Sequence, residues 1–567
     1  MCGITGYISE ENKENLEKII VDMTRIISHR GPDYQNHLCH KSIALGHSRL
    51  SIIDTSPAAH QPFTKSHVDL VFNGEIYNFK GLKKEHLGNE TFSSSSDTEV
   101  LIKLYLKYGL SKTLSLIRGM FAFALFDKKL NKIFLVVDHV GKKPLYYINH
   151  PKYFCFSSEI KSFKKIPNFN FDFNFESLNN FYYYRYNESF SCFKNISMVK
   201  PGHILEFDIE KKSSNVSRFF KFTDLINESI YHELDKKSSI SIIEKFNYLL
   251  NESIKKRLVA DVPVATINSG GIDSSLMSAI AFNIDPIQML HIDVEGKSEL
   301  YFAELLSKKL EIQLLTKKIS PIDVETNFKN TIYHFEHPLV HPNAYGISEV
   351  SSLAKKNNIK VLLSGEGADE LFGGYGYQHS FYKQQRLNNF FGKNYIILIN
   401  KLYKYLRSAT RSYSEAKSYD PTLFATERIK YEERFNQVYS KLGHILNMTE
   451  RNATTCLIND LSEYLFPLLI RADKMGMQHS VEIRCPYLDL DLIEFAINLP
   501  IRYKMSLRKR KIIVKTLGKN YLPKGIIDRK KIGFPMPSLP SQLNQQESIS
   551  RQYVIDSIDV LKHHFIN

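Results

Sequence analysis

Hydrophobic and polar positions follow one pattern up to about residue 207 and a different one beyond it. In the first part, short runs rich in Ile, Val, Phe and Leu are separated by Gly, Pro, Asn and Asp, which is typical of strands and turns. Apolar residues recur with helical spacing over 16–28 and 97–108. Strands with a few helices, without strict alternation, predict an α+β layered domain. The predicted strands cover 3–8, 42–47, 68–72, 121–126 and 133–137.

The second part alternates apolar runs with helical segments. An amphipathic helix over 241–257 leads to a strand over 262–267, and a strand over 289–294 is followed by a helix over 300–310. Repeated strand–helix units are typical of a parallel sheet. We therefore expect an α/β domain there, with helical additions over 376–460.

The stretch between the two patterns, residues 208–240, is polar and has no strong periodicity. Such a composition is typical of a surface connection between domains. With 567 residues, the chain is also too long for a single core. The predicted organisation is therefore a first domain over 1–207, a linker over 208–240 and a second domain over 241–567.

Charge and cysteine content favour a soluble cytoplasmic protein. The formal net charge of +15 could indicate a nucleic-acid partner, but Lys and Arg are spread along the chain and cluster only briefly, as at 508–511. The six cysteines lie far apart without a CxxC pair, which argues against a zinc site or a disulfide framework and fits a reducing compartment. The sequence has neither a signal-peptide pattern nor an apolar run long enough to span a membrane. We therefore expect neither nucleic acid nor a membrane among the partners.

A cysteine directly follows the initiator Met1. If Met1 is removed, Cys2 carries both a thiol and an α-amine with a pKa of about 7.7–8.0, and that amine can accept the thiol proton. Taken alone, Cys2 is equally an ordinary small hydrophobic residue near a chain end. The catalytic interpretation therefore depends on whether the sequence supplies suitable partners.

The first part does contain groups that a thiolate attacking an amide needs. Asn73 and Gly74, in a predicted Asn-Gly turn, can donate hydrogen bonds to a developing oxyanion. Arg49 can bind a substrate α-carboxylate with two parallel hydrogen bonds, and Glu75 and Asp97 can bind an α-ammonium group. Each residue also has a structural interpretation, as a turn, a helix cap or a surface cation.

Five motifs of the first part resemble the class II glutamine amidotransferase domain, which has an N-terminal cysteine nucleophile. In order, they are MCGITGYI, HRGPD, GHSRLSIID, FNGEIYN and SSSDTEV. This resemblance implies an αββα sandwich in which Cys2 attacks the glutamine amide while Asn73 and Gly74 stabilise the oxyanion. It also implies that glutamine is bound by Arg49, Leu50, Ile53, Asn73, Gly74, Glu75 and Asp97.

A glycine-rich loop follows the first predicted strand of the second part. Its residues, Ser269-Gly270-Gly271 and then Asp273-Ser274, lie between a strand and a helix, a layout that suits a phosphate group. A Gly-Gly turn can also be purely structural, and no Gly-Lys-Ser/Thr follows, so this is not a Walker loop. It resembles the pyrophosphate loop of ATP pyrophosphatases that form acyl-adenylates.

A second loop carries three carboxylates just beyond the predicted strand over 361–363. It begins at Ser364-Gly365-Glu366 and continues to Asp369 and Glu370. Ligands bind at the carboxyl edge of a parallel sheet. Carboxylates there can hold Mg²⁺ on ATP or orient an amine nucleophile, although an ordinary surface loop is the alternative.

Taken together, the motifs of the second part resemble the synthetase domain of the glutamine-hydrolysing asparagine synthetases. They are SGGIDSS, LLSGEGADELFGGY, RADKM, HSVEIRCPYLD and KIGFP. The resemblance implies that ATP with Mg²⁺ activates a carboxylate as an acyl-AMP and that ammonia from glutamine then attacks it. It assigns a role at the acyl-adenylate to Glu366 and tentative Mg²⁺ binding to Asp273 and Asp369. It assigns ATP binding to Ser269, Gly270, Gly271, Asp273, Ser274, Ser364, Gly365 and Lys511.

The second part departs from that family at three places, so the acceptor stays open. Asn268 stands where Leu is usual, Glu336-His337-Pro338 where Asp-Glu-Pro is common, and 476–480 reads GMQHS instead of SMAHS. Aspartate is the leading acceptor, and a sugar uronate of a surface polysaccharide is the alternative. A non-catalytic basic binding protein is an alternative of another class. We also expect an internal ammonia passage between the domains and a possible homodimer.

Overall fold

The computed structural model describes residues 2–184, 191–339, 343–391, 421–529 and 549–566. Its first domain is built from two antiparallel sheets. The strands are β1 (Cys2–Ser9), β2 (Tyr34–His40), β3 (Ile43–Arg49), β4 (Phe63–Lys65), β5 (Val68–Ile76), β6 (Gly119–Asp127), β7 (Lys132–Val137), β8 (Tyr146–His150), β9 (Tyr153–Ser157), β10 (Ser197–Met198), β11 (His203–Asp208) and β12 (Ser213–Arg218). They pair in the orders β10-β8-β9-β1-β3-β2 and β12-β11-β7-β6-β5-β4.

The two sheets pack face to face, and helices cover their outer faces. Alternate apolar residues of both sheets, such as Ile4 and Leu45 from one and Val71 and Leu135 from the other, form one buried cluster. The helices are α1 (Lys13–Arg25), α2 (Phe79–His86), α3 (Asp97–Leu116) and α4 (Phe175–Tyr184). Helix α1 packs on β1 and β3, and α3 packs on β5. The expected αββα sandwich is confirmed.

The helices of this domain form where the sequence supplies both a cap and an apolar stripe. Asn12 caps α1 by accepting a hydrogen bond from the Asn15 N–H group, and the buried face of α1 recurs at helical spacing from Leu16 to Met23. Ser96 caps α3 by accepting from the Glu99 N–H group, which puts Asp97 at the first helical position. The cap is therefore Ser96 and not Asp97, whose carboxylate instead accepts a hydrogen bond from the Ile76 N–H group.

The predicted Asn73-Gly74 turn is wrong. Both residues lie inside β5, where Asn73 pairs with Ala122 and Gly74 with Phe121 of β6. A Cβ atom on Gly74 would lie 2.1 Å from the Met120 carbonyl oxygen, so only glycine fits. The Asn-Gly pair therefore reflects a close approach of two strands beside the site rather than a hairpin.

The second domain contains the expected parallel sheet. Its strands are β13 (Val264–Ile267), β14 (Gln288–Val294), β15 (Leu314–Ile319), β16 (Val361–Leu363) and β17 (Glu482–Arg484). Their order is β15-β14-β13-β16-β17, with parallel pairing throughout. The chain runs outward from β13 through β14 to β15, and then returns to place β16 on the other side of β13. Ligands bind at such a switch point, outside the carboxyl ends of the strands.

Helices surround this sheet, as expected from the alternating pattern. They are α5 (Glu228–Lys236), α6 (Ser239–Leu258), α7 (Ile272–Ile284), α8 (Leu300–Leu310), α9 (Pro321–Phe335), α10 (Asn343–Lys356), α11 (Ala368–Phe372), α12 (Gly376–Phe391), α13 (Pro421–Lys441), α14 (Met448–Ser462), α15 (Leu465–Met477), α16 (Leu490–Asn498), α17 (Ile512–Tyr521), α18 (Lys524–Asp528) and α19 (Ile549–Leu561). Within the described ranges, no helix is both long and apolar enough to cross a membrane.

The segment 208–240, predicted as a linker, carries regular structure. Its first half includes β12, which pairs with β11 at the edge of the second sheet, and its second half includes α5, which packs against α16. The domain limits at 207 and 241 stay a prediction.

Candidate active sites

The glutamine cleft, a small cleft in the first domain, is lined by all the residues predicted to bind glutamine except Asn73. Strand pairing brings Cys2 of β1 opposite Arg49 of β3, and the cleft reaches across to β5 and the start of α3. Its lining includes Cys2, Arg49, Leu50, Ile53, Gly74, Glu75 and Asp97.

Asn73 is oriented by its hydrogen bond to Cys2. The Cys2 N–H group donates to Asn73 Oδ1 at 3.0 Å, so the acceptor end of the amide is occupied. Asn73 Nδ2 is buried and has no hydrogen-bond partner among the described residues. A buried donor of this kind normally finds a partner. An oxyanion formed beside Cys2 would satisfy it.

The Cys2 thiol is held in its neutral form. Burial raises the pKa of Cys2, while the N–H group of Leu50 and the positive charge of Arg49 act in the opposite direction. Because the effect of burial on this pKa is the larger one, attack on a substrate requires a base that removes the thiol proton. The predicted base is the Cys2 α-amine, freed by removal of Met1.

Arg49 is fixed by the loop that follows β3. Its Nη1 donates to the Ser56 carbonyl oxygen at 2.9 Å, and its Nη2 donates to the Asp54 carbonyl oxygen. Asp54 has φ of +52°, in the left-handed region that non-glycine residues rarely adopt. The position of this guanidinium therefore depends on an unusual loop conformation.

Two carboxylates converge on the other side of the cleft. Asp97 Oδ2 accepts from the Ile76 N–H group at 2.8 Å, and burial raises the pKa of Asp97 to about 6. Burial and then the Asp97 charge raise the pKa of Glu75 well above its usual value, although Arg484 of β17 lies 3.7 Å away. Glu75 Oε2 is buried without a hydrogen-bond partner in the described part of the chain. An ammonium group placed here would stabilise the ionised form of both carboxylates.

A larger cleft, about 750 Å³, opens at the switch point of the second domain. Such a volume is in the range of small-molecule and cofactor sites. Most of the residues predicted to bind ATP line it, namely Ser269, Gly271, Asp273, Ser274, Ser364, Gly365 and Lys511, together with Glu366 and Asp369. Gly270 lies behind this lining, with φ of +71° and its N–H group donating to Asn268 Oδ1 at 2.7 Å.

Lys511 connects the two loops of this cleft. Its ammonium group pairs with Asp273 of α7 and lies 2.5 Å from Asp369 Oδ1 of α11. Burial alone would lower the pKa of Lys511, but the two carboxylates raise it above its usual value. The first turn of α7 adds backbone N–H groups that have no acceptor within the helix. The cleft thus offers a fixed cation and a helix N-terminus to phosphate.

Glu366 is paired with Arg471 of α15 at 2.6 Å. Burial raises the pKa of Glu366, and the charge of Arg471 partly opposes that rise. Glu366 Oε2 has no hydrogen-bond partner among the described residues, so one carboxylate oxygen can still accept a proton from a substrate amine.

Comparison with known proteins covers both domains. Residues 1–220 match the family model of the glutamine amidotransferase domain, and residues 245–560 match that of asparagine synthase. The chain belongs to the asparagine synthase family. Like the family, it is an ATP-dependent ligase that takes nitrogen from glutamine and uses it to form an amide.

Relatives of this asparagine synthase family member match from about two thirds to nearly all of its length. Asparagine synthetase (glutamine-hydrolyzing) 1 of Bacillus subtilis is 28% identical over 98% of this chain and 91% of its own. Putative asparagine synthetase (glutamine-hydrolyzing) 2 of Methanocaldococcus jannaschii is 32% identical over 68% of this chain and 78% of its own. Amidase chyE of Penicillium rubens is 27% identical over 89% of this chain and 83% of its own.

No clear sequence signal marks several other residues that line the clefts. Gln61, Ser96 and Thr98 line the glutamine cleft, and Tyr375 and Arg529 line the larger cleft. Gln61 and Arg529 lie outside the quoted motifs, whereas Ser96, Thr98 and Tyr375 lie within motifs whose resemblance assigns them no role. The fold brings all of them to the clefts. Residues 531–535, the KIGFP motif, lie outside the described residues.

The family departures lie away from the lining of the larger cleft. Asn268 sits behind the glycine loop, where its Oδ1 accepts from Gly270. Glu336 is buried at the boundary between the domains, where it pairs with Lys474 at 2.5 Å and accepts from the Lys161 N–H group. His479 accepts from or donates to Ser348 at 2.9 Å. These positions therefore do not identify the acceptor.

Proposed function

We propose that this family member converts aspartate to asparagine, with glutamine as the nitrogen donor. The observation that carries the proposal is the presence in one chain of both clefts, each with its predicted residues, together with relatives named as asparagine synthetases over nearly the full length. The family membership accounts for glutamine and ATP, and aspartate is the acceptor that these relatives' names favour.

In the glutaminase half-reaction, Cys2 Sγ attacks the side-chain carbonyl carbon of glutamine. The α-amine of Cys2 takes the thiol proton and returns it to the departing nitrogen. Asn73 Nδ2 and the Gly74 N–H group donate to the oxyanion, while Arg49 holds the α-carboxylate and Glu75 with Asp97 holds the α-ammonium. The C–N bond breaks, ammonia leaves, and water hydrolyses the thioester to give glutamate.

In the synthetase half-reaction, an oxygen of the acceptor carboxylate attacks the α-phosphorus of ATP and releases pyrophosphate. Lys511 and the first turn of α7 bind the phosphates, and Ser269, Ser274, Ser364 and Gly365 complete their surroundings. Ammonia then attacks the acyl carbon, Glu366 takes a proton from it, and AMP leaves. Because ammonia is lost if it reaches water, it passes from one cleft to the other inside the protein.

Mg²⁺ is part of the proposal, with Asp273 and Asp369 as its protein ligands. Both carboxylates converge on Lys511, and Asp273 Oδ1 has no hydrogen-bond partner among the described residues. No group of three or more candidate ligands comes together in the described ranges, which suits a cation that takes one or two carboxylates and the substrate phosphates. When bound, it would supply positive charge to the triphosphate.

A second candidate acceptor is a sugar uronate. Arg508 and Lys509 are exposed in the wall of the larger cleft, and they would favour an acceptor that carries further negative charge, such as a nucleotide-linked uronate. The chemistry of activation and amidation would be the same for either acceptor.

The acceptor is tested by pyrophosphate release. The enzyme is incubated with ATP, Mg²⁺ and ammonium, and pyrophosphate is measured with aspartate or with a set of free and nucleotide-linked uronates. We expect aspartate alone to stimulate release and asparagine to accumulate in step. Stimulation by a uronate and not by aspartate would replace the first acceptor with the second. Absence of both glutamine hydrolysis and pyrophosphate release would instead favour a non-catalytic protein.

A further inference from the structure

The loop that follows β3, residues 50–57, forms one wall of the glutamine cleft and also contacts the second domain. Leu50, Ile52 and Ile53 line the cleft. Asp261, three residues before β13, hydrogen-bonds the same loop at two points: its N–H group donates to the Ile52 carbonyl oxygen at 2.9 Å, and its Oδ2 accepts from the Asp54 N–H group at 2.8 Å. We propose that Asp261, although it lies in the second domain, is a positioning residue for glutamine binding.

The reason lies in the conformation of Asp54. The left-handed region in which Asp54 sits is unfavourable for a residue other than glycine, so neighbouring contacts must hold Asp54 there. The Asp54 carboxylate accepts from the Ser56 hydroxyl at 2.6 Å and from the Ser95 N–H group at 2.7 Å. Both contacts come from the first domain. The Asp261 carboxylate supplies the contact to the Asp54 N–H group, and it comes from the second.

Asp54 is in turn the residue that fixes Arg49. Its carbonyl oxygen accepts from Arg49 Nη2, and Ser56 accepts from Arg49 Nη1. A change in the backbone of Asp54 therefore moves or releases the guanidinium predicted to bind the α-carboxylate of glutamine. The path from Asp261 to the substrate thus consists of one hydrogen bond to Asp54 and one from Asp54 to Arg49.

Apolar contacts support the same docking of the loop. Leu50 and Ile52 form a buried cluster with Val361 of β16 and Met477 of α15, both from the second domain. At the start of the loop, Lys360 lies 2.7 Å from Asp33, whose carboxylate also accepts from the Ser51 N–H group. The loop thus rests on the second domain on one side and borders the glutamine cleft on the other.

The test uses the full-length enzyme and three variants. Asp261→Ala removes the carboxylate that accepts from Asp54, and Asp261→Asn keeps a side-chain oxygen in the same position. Asp285→Ala is the matched control, an exposed aspartate of the same domain beyond the end of α7. We expect Asp261→Ala to raise the KM for glutamine in the glutaminase reaction by about fivefold, which corresponds to the loss of one hydrogen bond worth about 1 kcal/mol. Its kcat should stay within about twofold.

The other variants make the inference specific. Asp261→Asn should restore a near-normal KM, and Asp285→Ala should leave it unchanged. Ammonia-dependent pyrophosphate release should be the same in all three, because that reaction does not use the glutamine cleft. A glutamine KM unchanged in Asp261→Ala would overturn the inference. So would an Asn variant as impaired as the Ala variant, or a parallel loss of the ammonia-dependent reaction.

The inference rests on the proposed glutamine site, and the two can fail separately. If the unmodified enzyme shows no glutamine hydrolysis that depends on Cys2, the proposed site itself is wrong. If that hydrolysis is present and Asp261→Ala binds glutamine normally, only the role of Asp261 is wrong.

Discussion

Arg30 Nη2 lies 2.9 Å from Asp473 Oδ2, and this ion pair joins the first domain to helix α15 of the second. Both side chains are buried. Arg30 Nε also donates to the Cys2 carbonyl oxygen at 3.1 Å, and Nη1 donates to Glu159 at 3.0 Å. The main chain of the predicted nucleophile is therefore connected, through a single side chain, to a helix that also carries Arg471 beside Glu366.

Removing the carboxylate of this pair should destabilise the protein strongly. In Asp473→Ala, Arg30 and Lys143, which lies 3.3 Å from Asp473, are left buried without that counter-charge. Breaking a buried pair in this way costs about 3–5 kcal/mol. We expect the midpoint of urea unfolding to fall accordingly, as followed by circular dichroism.

An exposed ion pair provides the control for that experiment. Asp172 lies 2.6 Å from Lys194, and both side chains are more than half exposed. Asp172→Ala should change stability by less than about 1 kcal/mol. Equal shifts in the two variants would show that the buried interdomain pair makes no special contribution.

The first domain's layers and the parallel sheet of the second could be predicted from the sequence, because both depend on the spacing of apolar residues. The structure contains both the strand-rich arrangement predicted for the first part and the alternating strands and helices predicted for the second. Residues 29–33 illustrate a contact that the spacing of apolar residues cannot predict. Nothing in this HRGPD motif indicates that its charges are buried, yet Arg30 is fully buried between Glu159 and Asp473, which lie far away in the sequence.

The candidate sites were predictable for a different reason. Cys2, Arg49 and Asp97 belong to motifs whose chemistry is recognisable, and the fold brings them to one cleft. The error at Asn73 and Gly74 arose because Asn-Gly has a strong local preference for turns, which pairing of β5 with β6 overrides. Asp261 gave no local signal, since its role depends only on how two domains contact each other.

Loss of the Cys2 thiol should separate the two half-reactions. We expect Cys2→Ala to lower glutamine-dependent amidation by about a thousandfold or more, because the covalent route is removed. Amidation with ammonium as nitrogen source should continue at close to the normal rate. Both reactions are measured by pyrophosphate release at saturating ATP.

Cys39→Ala is the matched control for the nucleophile. Cys39 lies on β2, is only partly buried and does not line the glutamine cleft. Its removal should leave glutamine hydrolysis intact. Residual glutamine-dependent activity in Cys2→Ala comparable to that of Cys39→Ala would exclude Cys2 as the nucleophile.

Lys511 should be required for the reaction with ATP and dispensable for the hydrolysis of glutamine. Lys511→Met leaves Asp273 and Asp369 facing each other and the phosphates without their shared cation. We expect pyrophosphate release to fall by about a hundredfold, a loss typical of removing one charge-stabilising group. The glutaminase rate without ATP should stay within about twofold.

A lysine on α17, the helix that begins directly after Lys511, is the control for Lys511. Lys519 is exposed near the end of α17, away from the cleft lining. Lys519→Met should behave as the unmodified enzyme in both reactions. A normal rate of pyrophosphate release in Lys511→Met would contradict the phosphate-binding role.

Asp97 should link the pH dependence of stability to that of glutamine binding. Burial raises its pKa from 3.8 to about 6, so between these values the folded protein holds a proton that the unfolded chain has lost. The stability that this proton contributes is fully present below about pH 4 and is lost as pH rises through 6, an effect of about 3 kcal/mol. Because the side chain of Asp97→Asn stays neutral, the stability of this variant relative to the unmodified protein should rise across that pH range. For Asp285→Asn, a substitution at an exposed aspartate, the stability difference should not vary with pH.

Ionisation of Asp97, which lowers the stability of the fold, should in contrast strengthen glutamine binding. Only the ionised Asp97 carboxylate can bind the α-ammonium group of glutamine, so kcat/KM for glutamine should rise as pH increases through about 6. The charge that lowers the stability of the fold at neutral pH is thus the one that we propose to bind the substrate. A stability difference between the unmodified protein and Asp97→Asn that does not vary with pH would contradict both halves of this relationship. The pKa of Asp97 would then be the same in the folded and the unfolded chain, and kcat/KM would not rise near pH 6.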